Sequence, residues 1–308
     1  MSKSGSSLIG AGLIAIAAFF WATDALFRVP ALESLDPTFI VFCEHIIGML
    51  ILSPWPILAG IPGLLKLSLR QFLGLVIIGS GGSALATVLF TASFREVHPS
   101  VAILLQKFQP LIVILLASVF LKERITPRFI KWAALALVAG VLLSFPDLDF
   151  GFLRGELDPR SRGVGLALGA AAIWAASTVA GKSLLKGISP AMVTGWRYLF
   201  GAITLMVYIA WNGTPLAWDA LWGDRIALRS VLFIATVPGL LGMFVYYQGL
   251  SRTRATIATL AELVFPVSAI LLNSIWLEKP LTAVQLGSAL VLLAAVTRVT
   301  LLGDRNQR

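Results

Sequence analysis

Asp24, Glu44, Lys107, Arg197 and Glu262 each stand inside a long apolar run of this 308-residue chain. An ionised group in an apolar span is costly unless it is paired or hydrated. Each of the five is therefore a candidate to hold an ionic ligand, an ion-pair partner or a proton. Asp24 precedes Arg28 by one helical turn, the spacing of a local ion pair near a membrane edge, and Arg28 is long enough to snorkel outward. The same position also lets Asp24 face a cavity beside Trp21. His45 follows Glu44 and points about 100° away from it on a helix, so the two are not expected on one narrow stripe. His45 reads as a hydrogen-bonded packing residue. Gln106, Lys107 and Gln109 form a polar cluster beside Pro110.

The residue types needed for other chemistry are missing. The chain has two histidines, His45 and His98, and one cysteine, Cys43, with no zinc-site spacing, no HExxH and no phosphate-binding GxxxxGK[ST]. No metal or cofactor is expected. A membrane enzyme acting on lipid-linked substrates would need a convergent nucleophile, metal or acid–base pair, so the reading is not an enzyme, and no residue is assigned to catalysis. ATP-driven pumping within this chain would need a phosphate-binding loop.

The elements that must position these side chains are membrane spans. Hydrophobic residues make up 58% of the chain and charged residues 13%, about half the usual charged share, and the mean hydropathy is +0.90. Too little polar side chain is present to coat a water-facing surface. Ten apolar runs occur, at Leu8–Phe27, Phe39–Gly60, Phe72–Phe94, Val101–Phe120, Phe129–Phe145, Gly163–Gly181, Ala191–Trp211, Val231–Leu250, Ile257–Leu277 and Val284–Leu302. Most are long enough to cross a bilayer as helices. The longest connections, Pro146–Arg162 and Asn212–Ser230, read as surface loops. The first run reads as a span and not a removed signal peptide. The net charge of +9 is scattered between spans, which argues against nucleic acid and for basic cytoplasmic loops. With both termini cytoplasmic, fourteen Lys and Arg fall inside and eight outside.

The runs repeat. A shift of 156 positions lays Phe90–Pro110 on Tyr246–Pro266 without a gap and brings Thr126 onto Thr282. Earlier in each half a shift of 153 brings Trp21 onto Trp174, Pro37 onto Pro190, Glu44 onto Arg197 and Gly48 onto Gly201. The expected division is a first five-helix repeat over 1–146, a connecting loop over 147–162 and a second repeat over 163–308. An odd number of spans per unit turns the second unit upside down. Inverted repeats are an architecture of secondary transporters, with the site near the midplane between the halves. The residues expected around that site are Trp21, Asp24, Glu44, Gln106, Lys107, Trp174, Arg197, Tyr247 and Glu262. Glu44 and Arg197, related by the repeat, are expected to pair across the pseudo-axis. Glu262 aligns with Gln106, and Lys107 with Leu263, so the halves differ in charge at this level. Gly79–Ser83 and Pro238–Gly239 with Gly242 are repeat-related regions suited to close helix approach.

These landmarks resemble the EamA-like ten-helix members of the drug/metabolite transporter superfamily. The likeness rests on Trp21 and Trp174, Pro110 and Pro266, and the turns Leu121-Lys122-Glu123-Arg124-Ile125-Thr126 and Leu277-Glu278-Lys279-Pro280-Leu281-Thr282. Trp174 to Lys182 resembles the family's Trp-Gly-to-Lys signature. Glu44 departs from the pattern, which often has Arg there, and Glu278 lies one residue out of register with Glu123. The resemblance implies an all-α polytopic protein with ten transmembrane helices in two inverted five-helix repeats. It implies a secondary transporter working by alternating access, with export the expected direction, in a bacterial cytoplasmic membrane. A membrane enzyme and a non-transporting scaffold are the alternatives. Mixed charge suits a small polar or amphipathic metabolite, a zwitterion or organic anion before a lipophilic cation. The expected partners are this substrate and the lipid bilayer, and homo-oligomerisation stays open. Coupling to protons is expected, with Glu262 the first carrier and Glu44 the second, because a carboxylate removed from water holds its proton more readily. Pairing with Lys107 or Arg197 would work against this.

Overall fold

Proline and a capping side chain set where most helices of this chain begin. Pro37, Pro99, Pro127, Pro159 and Pro190 each open a helix, where the missing N–H leaves no bond unmade. Asp158 and Ser189 accept from the backbone N–H of Ser161 and Met192, and Ser68 forms a capping box with Gln71. Asp224 caps in the same way, and the N–H groups of Ile226 and Ala227 hold its carboxyl below the usual range.

The computed structural model describes residues 3–52, 67–109, 111–112, 127–149, 158–253, 258, 261–278 and 280–306. Pro110, Lys279, the turn expected at 121–126 and residues 150–157 of the expected loop lie outside the described residues, as does the side chain of Lys182. No strand occurs among the described residues. The helices are α1 (Leu8–Ala31), α2 (Pro37–Leu52), α3 (Leu69–Ser93), α4 (Pro99–Leu105, tightening into a 3₁₀ turn at Gln106–Phe108) and α5 (Pro127–Ser144). The second half holds α6 (Pro159–Leu184), α7 (Pro190–Asn212), α8 (Arg225–Arg252), α9 (Val264–Trp276) and α10 (Ala283–Asn306). Helices α6 and α8 begin ahead of their apolar runs because Asp158 and Asp224 cap them. The connection expected at Asn212–Ser230 thus shortens, and it carries a short helix, Trp218–Gly223.

Five of these helices, α1, α3, α6, α7 and α8, are long and apolar enough to cross a membrane, and shorter apolar helices accompany them. Their outer faces are apolar: Leu50, Ile275 and Leu290 are exposed. Trp211, Trp222 and Trp276 are exposed as well, as in an interfacial aromatic belt. The protein is an all-α, multi-pass membrane protein.

Exchanging the two halves leaves the packing pattern unchanged. Helix α1 packs on α8 and α9, and α6 on α3 and α4. Helices α2 and α7 pack on each other, and each also packs on the third helix of the opposite half. Helices α5 and α10 pair at the side. Arg95, just past α3, donates to the carbonyls of Leu32 and Leu35, just past α1. Glu96 and Val97 meanwhile stand against Gly163, in the first turns of α6. So α1 ends where α6 begins, and the halves are inverted.

Both third helices widen into π-helix at related places, Ile77–Leu85 in α3 and Ala235–Leu241 in α8. Close approach explains the small residues there. A methyl on Gly82 would overlap Ser177, one on Gly79 would overlap Phe200, and one on Gly242 would come within 2.9 Å of the Trp21 indole nitrogen.

Candidate functional site

Helix α1 is interrupted at Thr23, whose hydroxyl donates to the Phe20 carbonyl at 2.7 Å. The spacing of Trp21, Asp24 and Arg28 keeps them on one helical face. Helix α4 tightens at Gln106–Phe108, and in the second half Glu262 and Leu263 form a turn ahead of α9. The two irregularities are repeat mates, and both lie where backbone faces a cavity. The cavity encloses about 1140 Å³ of space free of protein atoms, mouth included. All nine residues singled out from the sequence line it: Trp21, Asp24, Glu44, Gln106, Lys107, Trp174, Arg197, Tyr247 and Glu262.

Two ring pairs flank it as mates. Trp21 lies 5.1 Å from Tyr246, and Trp174 lies 5.3 Å from Phe90, centroid to centroid. The Trp174 indole donates to the Gly82 carbonyl at 2.8 Å. The π-turn thus exposes a carbonyl that fixes the ring.

The charged groups are arranged differently from the expectation in two respects. Glu44 does not pair with Arg197. It accepts from Arg28 Nη1 at 2.6 Å, and Arg28 also forks onto Asp24, Nε to Oδ2 at 2.5 Å and Nη2 to Oδ1 at 2.7 Å. Thr91 Oγ accepts from the same Nη1 at 2.9 Å. The local Asp24–Arg28 pair forms, but Arg28 is 3% exposed and does not snorkel, because two carboxylates hold it inward. Arg197 donates instead to Ser83 Oγ at 3.0 Å and more distantly to Tyr247 Oη and the Gly82 carbonyl, both at 3.4 Å. Among the described residues every partner of Arg197 is neutral. The repeat accounts for this. The mate of Arg28 is Gly181 and the mate of Asp24 is Ser177, so the second half lacks the counter-charges of the first.

His45 joins the Val41 carbonyl at 2.7 Å and Ser83 Oγ at 2.8 Å, which is a packing role. It and Glu44 nevertheless both line the cavity, because that space is wider than one stripe of α2. Lys107 is 8% exposed. It faces Glu262 without an ion pair between described atoms, and its ammonium stands 5.3 Å from the Phe265 ring centre. The Tyr246 hydroxyl lies near both Glu262 and Thr178, and Gln109 donates to Thr178 Oγ at 3.0 Å. Arg28 as the hub of a network, and Thr91 beneath it, were not visible from sequence. The signal for Thr91 was its alignment with Tyr247.

The EamA-like transporter family model matches residues 8–145 and 161–301. The chain belongs to the EamA-like transporter family. It is 29% identical to the riboflavin transporter ImpX of Fusobacterium nucleatum over 94% of this chain and 97% of that one. It is 28% identical to the uncharacterized transporter YwfM of Bacillus subtilis over 91% and 90%, and 26% identical to protein PecM of Dickeya dadantii over 68% and 67%. A solved crystal structure aligns over 100% of both chains with a TM-score of 0.65 at 20% identity, which speaks for the fold alone. As an EamA-like protein the chain is a membrane transporter, and the cavity just described is lined by residues of both halves.

Proposed function

We propose that this EamA-like protein is a secondary transporter of a small polar, ring-bearing metabolite of no net charge. Alternating access moves the substrate, and protons drive it. One observation carries the reading. The cavity wall holds three cations, Arg28, Lys107 and Arg197, and three carboxylates, Asp24, Glu44 and Glu262. In their ionised forms they balance, so a neutral or zwitterionic substrate leaves the loaded cavity uncharged. Flat rings on both sides, Trp21 and Tyr246 against Trp174 and Phe90, suit a planar substrate. Lys107 and Arg197 hold its electron-rich oxygens, and Glu262, Gln106 and Gln109 its donors. A flavin fits this chemistry, and the riboflavin transporter among the relatives makes riboflavin the first substrate to try.

Glu262 is the proton carrier in this scheme, because Lys107 faces it without closing on it. Glu44, held by Arg28, is the lesser candidate. The protein resides in a bacterial cytoplasmic membrane with both termini inside, and export is the working direction.

The test is riboflavin movement in right-side-out and inverted vesicles, with and without a pH gradient. Riboflavin should move in protein-containing vesicles above empty ones. Glu262→Gln should abolish accumulation driven by the pH gradient and leave exchange measurable. Full pH-driven transport by the variant would remove Glu262 as carrier. Loss of both modes would make its role binding or packing.

A further inference from the structure

Gly10 in α1 and Gly163 in α6 are related by the shift of 153 that relates Trp21 to Trp174. Each is pressed against the end of the third helix of the other half. A methyl on Gly10 would lie 2.9 Å from Thr253 Cβ and from the Gly249 carbonyl oxygen, and 3.1 Å from the Arg252 carbonyl carbon. A methyl on Gly163 would lie 2.6 Å from Glu96 Cβ and 2.8 Å from Val97 Cγ1. The shift of 156 carries Glu96 and Val97 onto Arg252 and Thr253. The same contact is therefore made twice, once at each end of the bundle, with the cavity between. At the end near the termini it joins α1 to α8. At the opposite end it joins α6 to α3.

We infer that these two glycine contacts are the gates of the transport cycle, opened one at a time. The inference rests on the transport reading for its purpose. Tightly packed interfaces exchange between discrete arrangements and do not deform continuously. A backbone-close glycine contact is either seated or parted, as a gate requires. The gates are not equal. The one at the end away from the termini carries an added ion pair, Arg162 with Glu96. At the other, Arg252 turns back on its own helix and donates to the Gln248 carbonyl and side chain, both at 2.6 Å, and Ile9 occupies the place related to Arg162. The ion pair adds a bias toward closure of the far gate. Arg162 is 64% exposed by its side chain, so the bias is about two- to fivefold.

The test reads access to the cavity without any substrate. Thr87 also lines the cavity, so in a Cys43→Ala background Thr87→Cys places one reporter thiol on its wall. A membrane-impermeant maleimide is applied to right-side-out and inverted vesicles, and a separate variant with Glu33→Cys in place of Thr87→Cys, at an exposed position, marks the end away from the termini. Gly163→Ala should raise labelling from that end, and Gly10→Ala from the opposite end, each by about fivefold or more. Shifts in the same direction, or folded variants with unchanged labelling, would overturn the inference. Should a glycine variant fail to fold, the charges decide. Arg162→Gln should raise labelling from the far end about two- to fivefold, and the swap Glu96→Arg with Arg162→Glu should restore it. No change with Arg162→Gln, or no recovery with the swap, would overturn the inference too. The readout is independent of riboflavin movement, so the gates and the substrate assignment fail separately.

Discussion

Arg28 and Lys107 are both buried cations on the cavity wall, yet their surroundings give them opposite jobs. Arg28 is bonded to two carboxylates and a hydroxyl. Removing it leaves Asp24 and Glu44 buried without their counter-charge, a change that costs about 3–5 kcal/mol. Lys107 faces Glu262 and the Phe265 ring without a closed ion pair, so its charge remains available to a substrate. Arg28→Met should therefore lower the thermal unfolding temperature of the detergent-solubilised protein. Lys107→Met, of similar volume, should leave it nearly unchanged while weakening substrate binding about ten- to hundredfold. A Lys107→Met protein that unfolds like Arg28→Met, with binding intact, would make Lys107 structural. The membership of this wall was legible because charges inside apolar runs are rare. The pairing was not. Repeat symmetry set Glu44 opposite Arg197, but a side chain one turn along the neighbouring helix, Arg28, reached Glu44 first. Reach and rotamer are not encoded in an alignment.

The third helices carry the geometry that lets the halves interlock. In Ile77–Leu85 the π-turn and the glycines act together, since Gly82 gives its carbonyl to Trp174 and its missing side chain to Ser177. A methyl there is overpacking, which costs about 1–3 kcal/mol. Gly82→Ala should destabilise the protein by that amount in thermal unfolding, and adding Ser177→Gly, which removes the atoms it would meet, should recover most of the loss. A double variant no better than the single would show that the backbone conformation, and not the contact, requires glycine. Helix identity was readable from apolar runs and prolines, and the small-residue regions pointed to close packing. The widening to π-helix was not readable, because local preference does not separate it from an α-helix. Capping explains the early starts of α6 and α8, where Asp158 and Asp224 extend helices into polar sequence that hydropathy alone assigns to loops.

Across the whole molecule, inversion and charge balance lead to an expectation about voltage. The repeat relates the two halves in backbone, in the ring pairs and in the glycine contacts, while the charges differ from one half to the other. The six charges on the cavity wall sum to zero when ionised. On the alternating-access cycle proposed above, an empty or substrate-loaded carrier crosses its conformational barrier without net charge in the cavity, whereas one that also holds a proton carries one positive charge. Exchange of riboflavin for riboflavin should ignore membrane potential. Movement coupled to one proton should follow it by about 2.3 kcal/mol per 100 mV, which is about fiftyfold in the limiting substrate gradient. A potassium diffusion potential set with valinomycin across vesicles checks this. Coupled export that ignores voltage would mean that the proton is exchanged for a substrate of one positive charge. The substrate would then be a base, and Glu262, once its proton has left, would be the group that receives its charge.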